Sequence, residues 1–183
     1  MSNDLSLYYK VRPLIRSMDL FQWKSHSPLG LAIRWRTGGD RPGYEVEHGI
    51  NVNHSSLAAV MREVESGDIR YYTTEALGSG IVPNYLSVRL EKFNGEVWWY
   101  PLKDEFNDER GEMARRSFNN KGIDYDYKAI VKKLIGLKTP LDKKNLYCNE
   151  ACCVTYDAKV KDAHSPNWLP TLGMHKEPIK ILG

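Results

Sequence analysis

Apolar positions along this chain alternate over short runs bounded by glycine, proline and asparagine, with a few stretches at helical spacing. Five runs are predicted strands: Met18–Trp23 (MDLFQW), Tyr44–Val52 (YEVEHGINV), Ile69–Glu75 (IRYYTTE), Leu86–Leu90 and Glu96–Leu102 (EVWWYPL). In the second, Tyr44, Val46, Ile50 and Val52 share one face, and His48 lies on it. Gly78, Gly80 and Pro83 predict a turn after the third strand, and Asn94-Gly95 centres the turn between the last two. Pro28 opens a helical turn through Ile33 to Arg36. Longer helices are predicted at Asn107–Asn119 and at Asp124–Leu137, the latter ended by Gly136 and Pro140. Within Asn145–Val160, an extended Leu146-Tyr147 leads into a helix that carries every cysteine of the chain. Residues 5–16 read as a short helix or an extended arm, Thr37–Gly43 as a loop, and 55–66 as helical or irregular. Pro166, Pro170, Gly173 and Pro178 predict a coil from Ala163 onward. The sum is an α+β chain, expected as one domain over 1–183 with its core at about 17–162 and a C-terminal coil at 163–183.

Composition narrows the class. Apolar residues make up 42% and charged residues 27%, as in ordinary soluble globular proteins. A net charge of +3 is too mild to argue for a nucleic-acid partner. The basic residues are interleaved with acids, as in KDEFNDERGEMARR, which reads as a solvated face. No apolar run approaches the ~18 residues a membrane span needs, and MSNDLSLYYKVRPLIR lacks the apolar core of a signal peptide. A cytoplasmic protein is the expectation, reaching any other place, a virion included, by another route. The oligomeric state is not legible.

The three cysteines, Cys148, Cys152 and Cys153, fall in one short segment, which argues against a disulfide framework and for free thiols in a reducing compartment. There is no CxxC or HxxxH pair, so no metal or other cofactor is expected. A cysteine nucleophile needs its thiolate stabilised, a base beside it and a polar group to orient that base. Cys148 falls in the first turn of its helix, where the dipole and free N–H groups favour a thiolate and can hold an oxyanion. Cys152 and Cys153, one turn further in, read as small core residues. Taken alone, Cys148 also reads as a packing residue. His48 alone reads as a hydrogen-bonded core histidine, and Glu75 as a strand-end acid. His26, His54, His164 and His175 stand in loop-like segments.

The segments together resemble the circularly permuted branch of the NlpC/P60 superfamily of papain-like cysteine hydrolases, the YiiX/YaeF-like amidases. MDLFQWKS resembles that family's opening strand, with Asp19 at the Asp position and Met18 where glycine is usual. VEHGINV resembles its His strand, and YYTTEALGSGIV the following strand with an acid. WWYPLKDEFNDERGEMARRSFNNKGIDYDYKAI resembles the strand, polar helix and Gly-x-x-Tyr-Asp stretch after it, and LYCNEACCVTY the motif that opens the catalytic helix. The resemblance runs from about Asp19 to about Val160 and implies a small antiparallel sheet packed against helices. It also implies Cys148 as nucleophile, His48 as base and Glu75 as the residue orienting it. Asn149 departs from the usual Ser, and Gly49 follows His48 directly where one residue usually intervenes. The implied activity is cleavage of an amide or peptide bond through a thioacyl-enzyme. A thiol acyltransferase or lipid/ester hydrolase of the same superfamily is the alternative, with a peptide-like or acyl substrate in either case. A non-catalytic binding or virion-associated protein that keeps the fold is the third reading.

Overall fold

The computed structural model describes residues 3–38, 43–126, 128, 131–132, 146–158 and 165–183. Among these, six strands form one sheet: β1 (Leu20–Ser25), β2 (His54–Arg62), β3 (Ile69–Leu77), β4 (Gly80–Tyr85), β5 (Gly95–Tyr100) and β6 (Ile179–Leu182). Their order is β4-β3-β2-β1-β5-β6, and every neighbouring pair is antiparallel. Helices α1 (Ser6–Val11), α2 (Pro28–Thr37), α3 (Gly43–Glu47), α4 (Leu86–Glu91), α5 (Arg110–Asn119) and α6 (Cys148–Thr155) accompany the sheet.

Alternation along the strands splits the core into two layers. On one side Phe21, Trp23, Ala58, Val97 and Trp99 meet Tyr8 and Val11 of α1 and Leu86 and Leu90 of α4. On the other, Leu20, Leu57, Trp98 and Tyr100 meet Met113 of α5 and Cys152 and Cys153 of α6. Each large apolar side chain buried this way stabilises the fold by roughly 1.5–3 kcal/mol. Two glycines are required by close approach. A Cβ on Gly95 would lie 2.1 Å from the Lys24 carbonyl oxygen, and one on Gly80 (φ 94°) would lie 2.8 Å from that of Ile123.

Asp19 ties the layers together. Its buried carboxylate accepts from the N–H of Arg16 at 2.9 Å and of Leu102 at 3.0 Å. It also accepts from the Trp99 indole and the Arg110 guanidinium, both at 2.9 Å. Arg110 donates in turn to the carbonyls of Ser17 and Leu102. Met18, beside Asp19, holds φ at 69°, in the left-handed region that glycine occupies without strain.

Several elements differ from the sequence reading. YEVEHGINV is not a strand: Gly43–Glu47 is helical, and the chain leaves it through Gly49 at φ 67°. The Ile50 N–H bonds to Glu45 O and the Gly49 N–H to Val46 O, a helix stop of the Schellman kind, so His-Gly here is a C-terminal signal. HSSLAAVMR, read as helical or irregular, is β2. Leu86–Glu91 is a helix that buries Leu86 and Leu90 and exposes Val88; Leu-x-Val-x-Leu fits both periods. The residues after Gly80 form β4 instead of a turn. The C-terminal segment is a 3-10 helix over Pro166–Leu172 followed by edge strand β6. The arm at 5–16 takes the helical alternative. The helix predicted over Asp124–Leu137, with its stop at Gly136 and Pro140, falls largely outside the described residues.

Candidate active site

Cys148 is the first residue of α6 and is 4% exposed. Tyr147, extended at the N-cap, donates its N–H to the Glu150 carboxylate at 3.1 Å, which fixes the entry into the helix. The helix packs against β2 and β3. This sets the Cys148 thiol beside the imidazole of His54, the first residue of β2, near enough to raise that imidazole's pKa.

The sheet register supplies the third member. Leu57 lies opposite Thr74, so one step toward the hairpin's open end Ser56 lies beside Glu75. His54, two residues from Ser56, shares its face and meets Glu75 diagonally. His54 Nε2 lies 2.9 Å from Glu75 Oε2, which leaves Nδ1 for Cys148. Glu75 is fully buried, and Arg89 of α4 donates Nε to its two oxygens at 3.0 and 3.2 Å. Asn84 of β4 adds a contact at 3.5 Å. The Trp23 ring lies 6.4 Å from the imidazole, and its indole N–H is held by Ser56 at 2.7 Å.

Electrostatics follow from these contacts. Burial disfavours the charged imidazole of His54. Attraction to Cys148 and hydrogen bonds to Cys148 and Glu75 outweigh it and raise the pKa to about 9. Burial likewise disfavours the Glu75 carboxylate, yet His54 and Arg89 together hold it below the ordinary 4.5. Cys152, wholly inside the protein, is pushed well above the ordinary thiol range by burial and by its neighbours Cys148 and Cys153.

The structure therefore joins Cys148 and Glu75 and leaves His48 out. His48 sits exposed in the turn after α3, and the imidazole at Cys148 is that of His54. One signal in the sequence points to it. Ser66-Gly67-Asp68 is a turn cue that makes 54–62 and 69–77 a hairpin, and His54 then heads the strand that must lie beside Glu75. Arg89 carried no sequence signal, because its segment reads as a strand.

No family model matches the sequence, and no curated protein matches it. Among solved structures, the chain is similar to the crystal structure of the metalloprotein yiiX from Escherichia coli O157:H7, described also as DUF1105. The TM-score is 0.55 at 16% identity, over 78% of this chain and 65% of that one. The chain thus spans about 65% of its neighbour's length, and the likeness is one of fold: α+β, with helices against an antiparallel sheet. Among the described residues no group of three or more His, Cys, Asp or Glu is placed to hold a metal ion, and no helix is long and apolar enough to cross a membrane.

Proposed function

We propose that the chain, one domain over 1–183, is a cysteine hydrolase of the permuted papain-like kind, with Cys148 as nucleophile, His54 as acid and base, and Glu75 orienting His54. The observation that carries this is the juxtaposition itself: a thiol at a helix N-terminus, an imidazole beside it whose pKa that thiol raises, and a buried carboxylate 2.9 Å from the imidazole Nε2. The order along the chain, histidine then acid then cysteine, is that of the permuted family, and the YiiX-type fold agrees with it.

In this reading the Cys148 thiolate attacks the carbonyl carbon of an amide. The first-turn N–H groups of α6, which have no carbonyl one turn earlier, face the developing oxyanion. The His54 imidazolium gives its proton to the leaving nitrogen, the C–N bond breaks, and a thioester remains on Cys148. Water then loses a proton to His54 and attacks the thioester. The acid leaves and the thiolate and imidazolium are restored.

An acyl ester or lipid amide is a second reading, favoured by an apolar groove of about 290 Å³ lined by Met61, Ile81, Pro83, Ala114 and Phe118. Ile81 also belongs to the apolar cluster around Cys148. The test is trapping: incubation with peptide-amide and acyl-ester libraries, followed by mass spectrometry of the intact protein. A substrate-derived adduct on Cys148 supports acyl transfer and its mass names the class. Complete absence of adducts and turnover favours a binding protein that keeps the fold.

A further inference from the structure

The Arg89 guanidinium is held on three sides. Its Nε reaches both oxygens of Glu75 at 3.0 and 3.2 Å. Its central carbon lies over the Trp23 ring at 5.1 Å from the centroid and over the Phe93 ring at 5.2 Å, within cation–π range of both. Phe93 and Trp23 meet edge to face, with centroids 5.0 Å apart, so the two rings form a fixed corner. Arg89 comes from α4, whose Leu86 and Leu90 are fully buried against the same layer. A surface arginine would not have this geometry; here the cation lies over two aromatic rings, is bonded to a fully buried carboxylate, and stands one residue removed from the reacting pair.

Resting on the reading of Cys148 and His54 above, we propose that Arg89 is a positioning residue of this site. Held against the corner of Trp23 and Phe93, it keeps Glu75 ionised and aimed at His54 into mildly acidic conditions, so that the thiolate–imidazolium pair persists there. The charges then alternate along one line: Arg89 positive, Glu75 negative, His54 positive, Cys148 negative. Glu75 is faced by His54 from β2, Asn84 from β4 and Arg89 from α4; His54 is faced by Glu75 from β3 and Cys148 from α6. Without Arg89, the buried carboxylate keeps one charged partner. It then protonates at higher pH, because an opposite charge in contact is worth about 1–3 pH units to a carboxylate. A neutral Glu75 no longer supports the imidazolium, and the thiolate it stabilises is lost with it. Lysine at this position would keep the charge without the rigid guanidinium whose Nε–H reaches both Glu75 oxygens.

The experiment is the pH profile of Cys148 alkylation by iodoacetamide in wild type, Arg89→Met and Arg89→Lys, read by peptide mass spectrometry alongside a melting curve. In wild type the proposal expects rapid alkylation whose acid limb falls away in the acidic range. Arg89→Met should move that limb up by about one pH unit or more, and Arg89→Lys should restore part of the shift. If Arg89→Met cannot be recovered folded, Arg89→Gln, which keeps an N–H for Glu75 without the charge, serves the same comparison. A variant that melts lower but keeps the wild-type limb overturns the proposal and leaves Arg89 a structural residue. A wild type whose Cys148 reacts no faster than Cys152, or whose rate is unchanged in His54→Ala, overturns the underlying reading instead.

Discussion

Replacing Glu75 with Gln removes one charge while keeping the shape of the side chain. The carboxylate is fully buried and takes hydrogen bonds from two charged partners, His54 at 2.9 Å and Arg89 at 3.0 Å. A glutamine offers one oxygen and one NH2 group, so either His54 or Arg89 must face a donor. Breaking a buried ion pair by neutralising one side costs about 3–5 kcal/mol. The Arg89 side chain is 25% exposed and can recover some hydration, so the lower end, about 3 kcal/mol, is expected. The same change removes one of the supports that raise His54 to about 9. Loss of an adjacent opposite charge is worth about 1–3 pH units, which brings the His54 titration down to between about 6 and 8. The assays are urea unfolding at neutral pH and the His54 titration followed by imidazole NMR. Glu75 is held below its ordinary 4.5, so its contribution is complete above about 4.5 and fades as the pH falls through the lowered value. Glu75→Gln should therefore lose stability most at neutral pH and differ least from wild type in acid. A variant within 0.5 kcal/mol of wild type (about the scatter of ordinary surface substitutions), with its His54 titration still near 9, would refute this account of the buried carboxylate.

Other consequences are equally direct. Asp19→Ala strands the Arg110 guanidinium and several buried N–H groups, and should cost about 3–5 kcal/mol by urea unfolding; a loss under 1 kcal/mol would contradict the role given to Asp19. His175 is kept neutral by burial, with help from Lys103 and Arg110, and its pKa is lowered to about 3. The unfolded chain therefore binds the extra proton first, so the stability this histidine preserves is complete above about 6.5 and is lost as the pH falls toward 3. His175→Phe should flatten the fall in melting temperature over that window, and an unchanged slope would argue against a buried neutral imidazole. Gly95→Ala would drive a methyl group onto the Lys24 carbonyl, so it should lower the melting temperature by several degrees at least; a neutral outcome would mean that the β1–β5 register yields.

The hydrophobic pattern makes β1, β3, β5 and α5 legible because those strands are rich in aromatic and branched residues and α5 has a polar exposed face. Cys148 and Glu75 entered the candidate site through the family resemblance, since alone they read as a packing residue and a strand-end acid. His54 was obscured because its strand opens Ser-Ser-Leu-Ala-Ala, and small residues carry little β propensity even when β1 on one side and β3 on the other cover them. His48 attracted attention because Tyr-x-Val-x-His mimics strand alternation, whereas the Gly49 turn makes that segment a helix end. Edge strand β6 could not be read from a proline-rich tail, since its pairing with β5 is set by the rest of the sheet. Arg89 takes its place only in three dimensions, where α4 sets it against Glu75 and the rings of Trp23 and Phe93.

The central claim is that the Cys148 thiol is activated by His54. Its most direct test is the iodoacetamide alkylation rate of each cysteine at neutral pH in wild type, His54→Ala and His48→Ala. The account predicts that Cys148 reacts far faster than Cys152 or Cys153 in wild type and in His48→Ala, and slows at least tenfold in His54→Ala, the scale on which a positioned base acts. Cys148 reacting equally in His54→Ala, or slowing in His48→Ala instead, would contradict it.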